Sequence, residues 1–354
     1  MALIGYTIEE DSCEVGLLFK YLDISESLIS KEDLQKILET ESSDRVIVVG
    51  KKLSLYKSLI LNSKRQICLI HLGDEHYKFL DSLVYLDKNI IMILRNHNVA
   101  APSTIFIALL KWPVSVTKWI LAYWLQDQSL TQNIHHAVDS LLSIKILIRQ
   151  FGLSLVTKLK GKNKVVFLPL NEPDFFFQAT NKSLPTSKDI QVSFAGGLHS
   201  HERRTAHKSA VALGYSHGYD GWAWKAKNTL SPVKYYQILV SSKFVLSPNG
   251  HSSQDCFRFY ETVRAGALPL ISAETPFQPF GYLSNLFNLD RRLLLKNFSS
   301  NEVLKSIESI DPSEYTRLLD SLVVSIDKTN KYAKNIIHSA CLDSSQGNRT
   351  NRFF

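Results

Sequence analysis

Hydrophobic positions along the chain gather into short continuous runs separated by polar, helix-prone stretches. Asp44–Gly50 (DRVIVVG), Arg65–Leu72 (RQICLIHL), Lys88–Arg95 (KNIIMILR) and Lys164–Leu170 (KVVFLPL) are runs of the kind that sit in buried parallel strands. The pattern restarts after Leu184-Pro185-Thr186. There Asp189–Gly197 (DIQVSFAGG) reads as strand and loop, and His201–Leu213 (HERRTAHKSAVAL) as a helix that Gly214 can cap. Lys243–Ser247 and Ala267–Ser272 read as two further strands enclosing a helix. Amphipathic helices follow, Asn301–Ile310 and Pro312–Lys334, and the polar tail 344–354 is expected to be disordered. Alternating β and α elements predict an α/β protein with parallel sheets.

The chain has 354 residues, and one hydrophobic core rarely grows past ~250–300, so two domains are expected. Polar residues cluster where three of the runs end: GDEH after Leu72, RNHN after Leu94 and NEPD after Leu170. Open α/β sheets bind ligands outside the carboxyl ends of their strands, so these loops mark a candidate site.

One segment breaks the pattern. IFIALLKWPVSVTKWILAYWL, residues 105–125, carries three tryptophans together with Lys111, Pro113 and Lys118. Its charges make it a poor membrane-spanning helix, which needs ~20 mostly apolar residues. Mixed aromatic, basic and apolar residues suit a helix lying in a membrane interface. Lys145, Arg149, Lys158, Lys160, Lys162 and Lys164 would add attraction to anionic lipid. A helical insertion packed on the protein with its lysines in water is the competing reading.

The net charge of +8 favours anionic partners. A nucleic-acid partner is not expected, because the basic residues surround one insertion without a stacking platform. Four scattered cysteines form no CxxC pair, which points away from a zinc site or disulfide scaffold and toward a reducing compartment. The opening residues show no basic region followed by an apolar run, so no signal peptide is expected. Asp-x-Asp, P-loop, GxGxxG and GxSxG patterns do not occur. His199-x-His201 with His207 lacks an acidic ligand at a completing spacing, so no metal is expected.

The stretch SSKFVLSPNGHSSQDCFRFYETVRAGALPLIS, residues 241–272, carries the most chemistry. Ser252 or Ser253 can cap its helix, whose free N–H groups would receive an anion, and Gly250 lets a ligand approach the backbone. Cys256, Phe259, Tyr260 and Val263 follow the spacing of a buried helix face. Arg258 and Glu261, three residues apart, are either a surface ion pair of small worth or a subsite in which one meets diphosphate and the other ribose. Arg203 and Arg204, after SFAGG, are further phosphate candidates through forked hydrogen bonds, though both cannot easily point inward.

This stretch resembles the donor-site signature of exostosin-like glycosyltransferases, with Ser242, Pro248, Gly250, Arg258, Glu261, Gly266 and Pro269 in matching places. The upstream order HLGDE (71–75), ILRNH (93–97), FLPL (167–170) and SFAGG (193–197) is similar to the ribitol xylosyltransferase branch and its bacterial relatives. The resemblance implies a GT-B fold, two Rossmann-like domains facing across a cleft with the donor in the C-terminal one. It also implies metal-independent, inverting sugar transfer. Residues 1–184 would then be the acceptor-side domain with the helical insertion 102–164, residues 185–300 the nucleotide-sugar domain, and residues 301–343 C-terminal helices.

On this reading Glu261 binds ribose, and Arg258 with Arg203 or Arg204 binds diphosphate. Ser247, Asn249, Gly250, Ser252 and Ser253 line the donor. Inversion needs a base for the acceptor hydroxyl. Asp74 and Glu75 are the candidates, and His71, His76 and Arg95 lie on the acceptor side. No cofactor is expected beyond a nucleotide-sugar co-substrate, UDP-linked. The acceptor would be a glycan or a lipid-linked glycan, with an anionic membrane surface met through 105–164.

The membrane anchor and cysteine pairs of the animal enzymes are not found in the sequence, and a cytoplasmic place at the inner face of a membrane is expected. A non-catalytic nucleotide-sugar- or glycan-binding scaffold is the alternative; an epimerase, which would convert donor alone, is a third reading.

Overall fold

The computed structural model describes residues 3–8, 22–42, 44–50, 53–72, 81–96, 101–124, 130–161, 165–170, 187–220, 229–250, 256–273 and 283–342. The chain forms two compact units that interleave along the sequence. The first contains 1–106, 146–169 and 327–354; the second contains 107–145 and 170–326. Each holds a parallel sheet with helices, so the α/β class and the two Rossmann-like sheets are present.

In the first unit, β1 (Leu3–Thr7), β2 (Ile24–Leu28), β3 (Val46–Gly50), β4 (Ile67–His71), β5 (Ile90–Arg95) and β6 (Val165–Phe167) form a sheet of order β2-β1-β3-β4-β5-β6. Every pair is parallel. The Val/Ile/Leu runs of β3 and β4 are buried at every position, as central strands covered on both faces must be. Helices α1 (Lys31–Glu39) and α2 (Leu53–Leu61) cover one face through Leu34, Leu38, Tyr56 and Ile60. A glycine is required at the end of β3, because a Cβ on Gly50 would lie 2.6 Å from the Tyr56 ring.

The insertion forms two long helices, α3 (Pro102–Trp124), with Pro113 inside it, and α4 (Leu130–Lys160). Leu153 and Val156 of α4 join the core of the first unit. Among the described residues, no helix is long and apolar enough to cross a membrane.

In the second unit, β7 (Ile190–Gly197), α5 (His201–Leu213), β8 (Tyr215–Tyr219), α6 (Pro232–Ser241), β9 (Ser242–Ser247), α7 (Phe257–Arg264) and β10 (Leu268–Ser272) follow in sequence. A short α8 (Leu283–Leu286), β11 (Leu294–Leu295) and α9 (Ser300–Glu308) complete it. The order is β11-β10-β9-β7-β8, again parallel throughout.

The last helix, α10 (Pro312–Leu342), belongs to both cores. Leu318, Leu322 and Ile326 pack in the second unit, and Ala333 and Ile337 in the first. It runs past Lys334, where the sequence pattern had it end, because its apolar spacing continues through Ile337. The units are discontinuous in sequence, with 107–145 in the second and 327–354 in the first.

The turn from α7 into β10 rests on Gly266, whose φ of 73° lies in the left-handed region. Its carbonyl accepts from the Tyr315 hydroxyl at 3.0 Å. A Cβ at Gly266 would meet only Lys188 Nζ, at 3.8 Å, so a side chain there costs backbone strain rather than a clash. Gly266→Ala should therefore lower stability by about 1–2 kcal/mol in urea unfolding; no loss would show that the turn adopts another conformation.

Candidate functional site

Strand β7 lies between β8 and β9, so the chain leaves it in opposite directions on its two sides. This is the switch point of a doubly wound sheet, where a crevice opens outside the carboxyl ends of the strands. The ends in question are Gly197 of β7 and Ser247 of β9, and the donor-side candidates of the sequence gather around them.

Helix α5 starts on the β7 side. Ser200 is its N-cap and accepts from the Arg203 amide at 3.3 Å. This fixes the phase of the first turn, and the two neighbouring arginines part company. Arg203 turns inward and is only 8% exposed. Its Nε donates to the Asn249 carbonyl at 3.2 Å and its Nη1 to the Gly197 carbonyl at 3.4 Å. Arg204 stays partly exposed and donates Nη1 to the Leu198 carbonyl at 3.0 Å.

Helix α7 brings Arg258 and Glu261 from the β9 side. Cys256, Phe259, Tyr260 and Val263 form its buried face as the spacing predicts. The helix begins later than the sequence reading placed it. Cys256 is the N-cap, without a side-chain cap bond. Arg258 reaches across to β7, where its Nη2 donates to the Ala195 carbonyl at 2.7 Å. Its guanidinium lies 5.1 Å from the centre of the Phe194 ring, within cation–π range. Gly196 makes this path open, since a Cβ there would collide with Arg258 Nη2. Nε and Nη1 of Arg258 are buried without a hydrogen-bond partner among the described residues, and so is Asn249 Oδ1.

Glu261 is 4% exposed, which removes the surface-ion-pair reading. Its Oε2 accepts from the Tyr235 hydroxyl of α6 at 2.6 Å. Burial, and then the Glu261 charge, hold the Tyr235 hydroxyl well above its ordinary pKa, so it remains a donor.

Glu202 and Tyr235 carry structure here that the sequence did not single out. Glu202 Oε2 accepts from the Asn249 amide at 3.2 Å, and Oε1 accepts from the Ser272 hydroxyl. One carboxylate thus ties the start of α5 to the loop after β9 and to the end of β10. Burial pushes the Glu202 carboxyl up, against the pull of Ser272, Arg203 and the Asn249 amide. Burial, with Arg258 close by, pulls the Arg203 guanidinium down to about 10. The site is a desolvated cluster of two arginines and two carboxylates, in which Arg258 Nε and Nη1 could donate to an anion such as a diphosphate.

Of the other donor-side candidates, Ser247 is buried and its hydroxyl donates to the Val245 carbonyl at 3.5 Å. Asn249 joins the network through its backbone, and Gly250 follows it, partly exposed. Ser252 and Ser253 lie outside the described residues, as do Asp74, Glu75 and His76.

His71 and Arg95 belong to the first unit, at facing positions where β4 and β5 end. Both are buried and share one partner, Tyr85. His71 Nδ1 is hydrogen-bonded to the Tyr85 hydroxyl, and Arg95 Nη1 donates to the same oxygen at 3.3 Å. Of the histidines in the second unit, His207 is bonded through Nδ1 to the Ser216 hydroxyl at 2.6 Å.

No protein-family model matches the chain. No curated protein matches it either. Among solved structures, a T4 phage BGT mutant in complex with UDP-glucose is similar with a TM-score of 0.46 and 13% identity, covering 97% of this chain and 100% of that one. E. coli heptosyltransferase WaaC with ADP is similar with a TM-score of 0.32 and 12% identity, covering 86% and 98%.

The Glu202 network makes a pH-dependent prediction. A carboxyl whose folded pKa is raised stabilises the fold fully below its unfolded value and loses that contribution as pH rises through the folded one. Glu202→Gln removes this dependence while keeping an acceptor for Asn249 or Ser272. Compared with the variant, the wild type should therefore gain melting temperature as pH falls from neutral toward 4.5, the ordinary glutamate value. A difference that stays constant or moves the other way would show that Glu202 is not held in a desolvated site.

Proposed function

We propose that the protein is an inverting, metal-independent glycosyltransferase of GT-B arrangement, taking sugar from a UDP-linked donor to a glycan or lipid-linked acceptor. The observation that supports this reading is the pairing of Arg203 and Arg258 at the switch point of the second sheet. Two guanidinium groups converge there, Arg258 has N–H groups without partners among the described residues, and Glu261 lies one turn further along the same helix.

In such a reaction the bond between sugar and diphosphate breaks while the acceptor oxygen attacks the anomeric carbon. Negative charge grows on the departing diphosphate, and fixed donors in a desolvated crevice stabilise it without reorganising. Arg203 and Arg258 take that role, and their charge substitutes for a metal ion. Glu261, oriented by Tyr235, receives the ribose hydroxyls. Asp74 or Glu75 accepts the proton of the attacking hydroxyl, with His71, His76 and Arg95 on the acceptor side. The enzyme works from the cytoplasm, beside an anionic membrane surface contacted by 105–164.

A panel of nucleotide-sugars, read by thermal stabilisation and donor hydrolysis, tests the reading. Stabilisation by UDP-sugars above other nucleotides is expected, together with slow hydrolysis of the sugar. In calorimetry, Arg258→Ala should weaken donor binding by about 2–5 kcal/mol, the cost of removing one partner of a buried charged contact. Glu261→Ala should bring binding below detection. Unchanged affinity in folded variants would remove both roles, and binding without any turnover would favour a scaffold.

A further inference from the structure

Over its described side chains, 144–160, helix α4 buries one side, and the side facing away carries apolar residues. Leu147, Leu153 and Val156 are buried, and Lys160 is committed through its Nζ to the Asp87 carbonyl at 2.7 Å. Ile148, Leu155 and Leu159 face away from that core and are 54%, 41% and 75% exposed. Their spacing of seven and four residues stacks them in a single stripe along the helix. Three branched aliphatic side chains left partly in water along one helix face favour an apolar covering.

The flanks of the stripe identify what would cover it. Lys145 and Lys158 are exposed on opposite sides of it, and Arg149 lies next to Lys145. From Ser140 to Gly161 the sequence contains no acidic residue. Helix α3 repeats the arrangement independently. Phe106, Ile107, Leu110 and Val114 are exposed beside an exposed Lys111, and the helix contains no acidic residue at all. An apolar stripe edged only by cations matches a bilayer interface, where acyl chains receive the aliphatic groups and anionic headgroups receive the lysines. It matches in-plane seating rather than insertion, because neither helix can span.

We propose that the Ile148-Leu155-Leu159 face of α4 is a docking surface for an anionic lipid bilayer. This assigns a surface to the membrane contact in the functional reading above and rests on that part of it, not on sugar transfer.

Flotation of the full chain with vesicles tests it, comparing neutral phosphatidylcholine with phosphatidylcholine containing phosphatidylglycerol. The wild type should float with the anionic vesicles at low salt and be released by high salt. The double variant Leu155→Ser, Leu159→Ser should lose about tenfold or more in partitioning, with an unchanged melting temperature. Lys145→Glu with Lys158→Glu should abolish the preference for anionic vesicles. A wild type that stays soluble would overturn both the membrane contact and this face. Variants that float like the wild type would overturn this face alone. A solution dimer that the serine variant dissociates would overturn it as well, showing that a second copy of the chain covers the stripe.

Discussion

Two like charges held close together in a desolvated crevice are the constraint on which the second unit is built. Burial, and then the Arg258 charge, lower the proton affinity of Arg203; for Arg258 burial is outweighed by the groups around it, Tyr235 and Glu261 among them. Backbone acceptors offset part of this, alongside Glu202 near Arg203 and Glu261 near Arg258. The carbonyls of Ala195, Gly197 and Asn249 each accept from a guanidinium, and the Phe194 ring lies against Arg258. These acceptors stand at the end of one strand and in the loop after its neighbour, so the arginines can be fixed only where a parallel sheet divides. Gly196 follows from the same constraint, because no side chain fits between β7 and the guanidinium that crosses it. The SFAGG segment is thus a steric requirement of Arg258, set more than sixty residues downstream.

What could be read from the sequence was whatever burial imposes on consecutive residues. Strands β3, β4, β5, β7, β9 and β10 stand out because both of their faces are covered and their runs are apolar. Strands β2 and β8 do not. Ile24–Leu28 (ISESL) sets three polar residues together at a sheet edge, and every residue of Tyr215–Tyr219 (YSHGY) is partly exposed. Arg258 and Glu261 were visible as an odd pair on an amphipathic helix. Their burial was not, because it depends on Gly196 and on Tyr235, which is 26 residues from its carboxylate. Arg203 and Arg204 looked equivalent until Ser200 fixed the helical phase. Glu202 gave no signal, since an acidic residue in a first turn is ordinary on dipole grounds alone.

The mouth of the first sheet follows a different rule. Histidine, tyrosine and arginine share one hydroxyl there, with His71 and Arg95 in register on adjacent strands and Tyr85 supplied by the short helical turn Asp81–Leu86. The sequence marked His71 and Arg95 because polar residues ending apolar runs are conspicuous. Tyr85 escaped because an aromatic residue beside Val84 reads as core, and it is indeed fully buried. Its hydroxyl is the partner of His71 Nδ1 and of Arg95 Nη1, a junction residue types alone do not reveal.

Glu202 explains how the cluster around Arg203 can keep its shape before anything occupies it. Loops at a switch point are drawn from three separate strand connections, and nothing in strand pairing holds their tips together. A single carboxylate with one oxygen on the Asn249 amide and the other on Ser272 fastens the loop after β9 and the end of β10 to the start of α5. The cost is a negative charge partly stripped of water, seen in its raised pKa. That cost is offset by proximity to Arg203, which needs the same loop for its own bond to the Asn249 carbonyl. Arg203 and Glu202 therefore hold opposite sides of one peptide segment, the cation on a carbonyl and the anion on an amide. The segment so fixed is the one that leads to Gly250. An arrangement paid for during folding need not be formed again when an anionic ligand arrives.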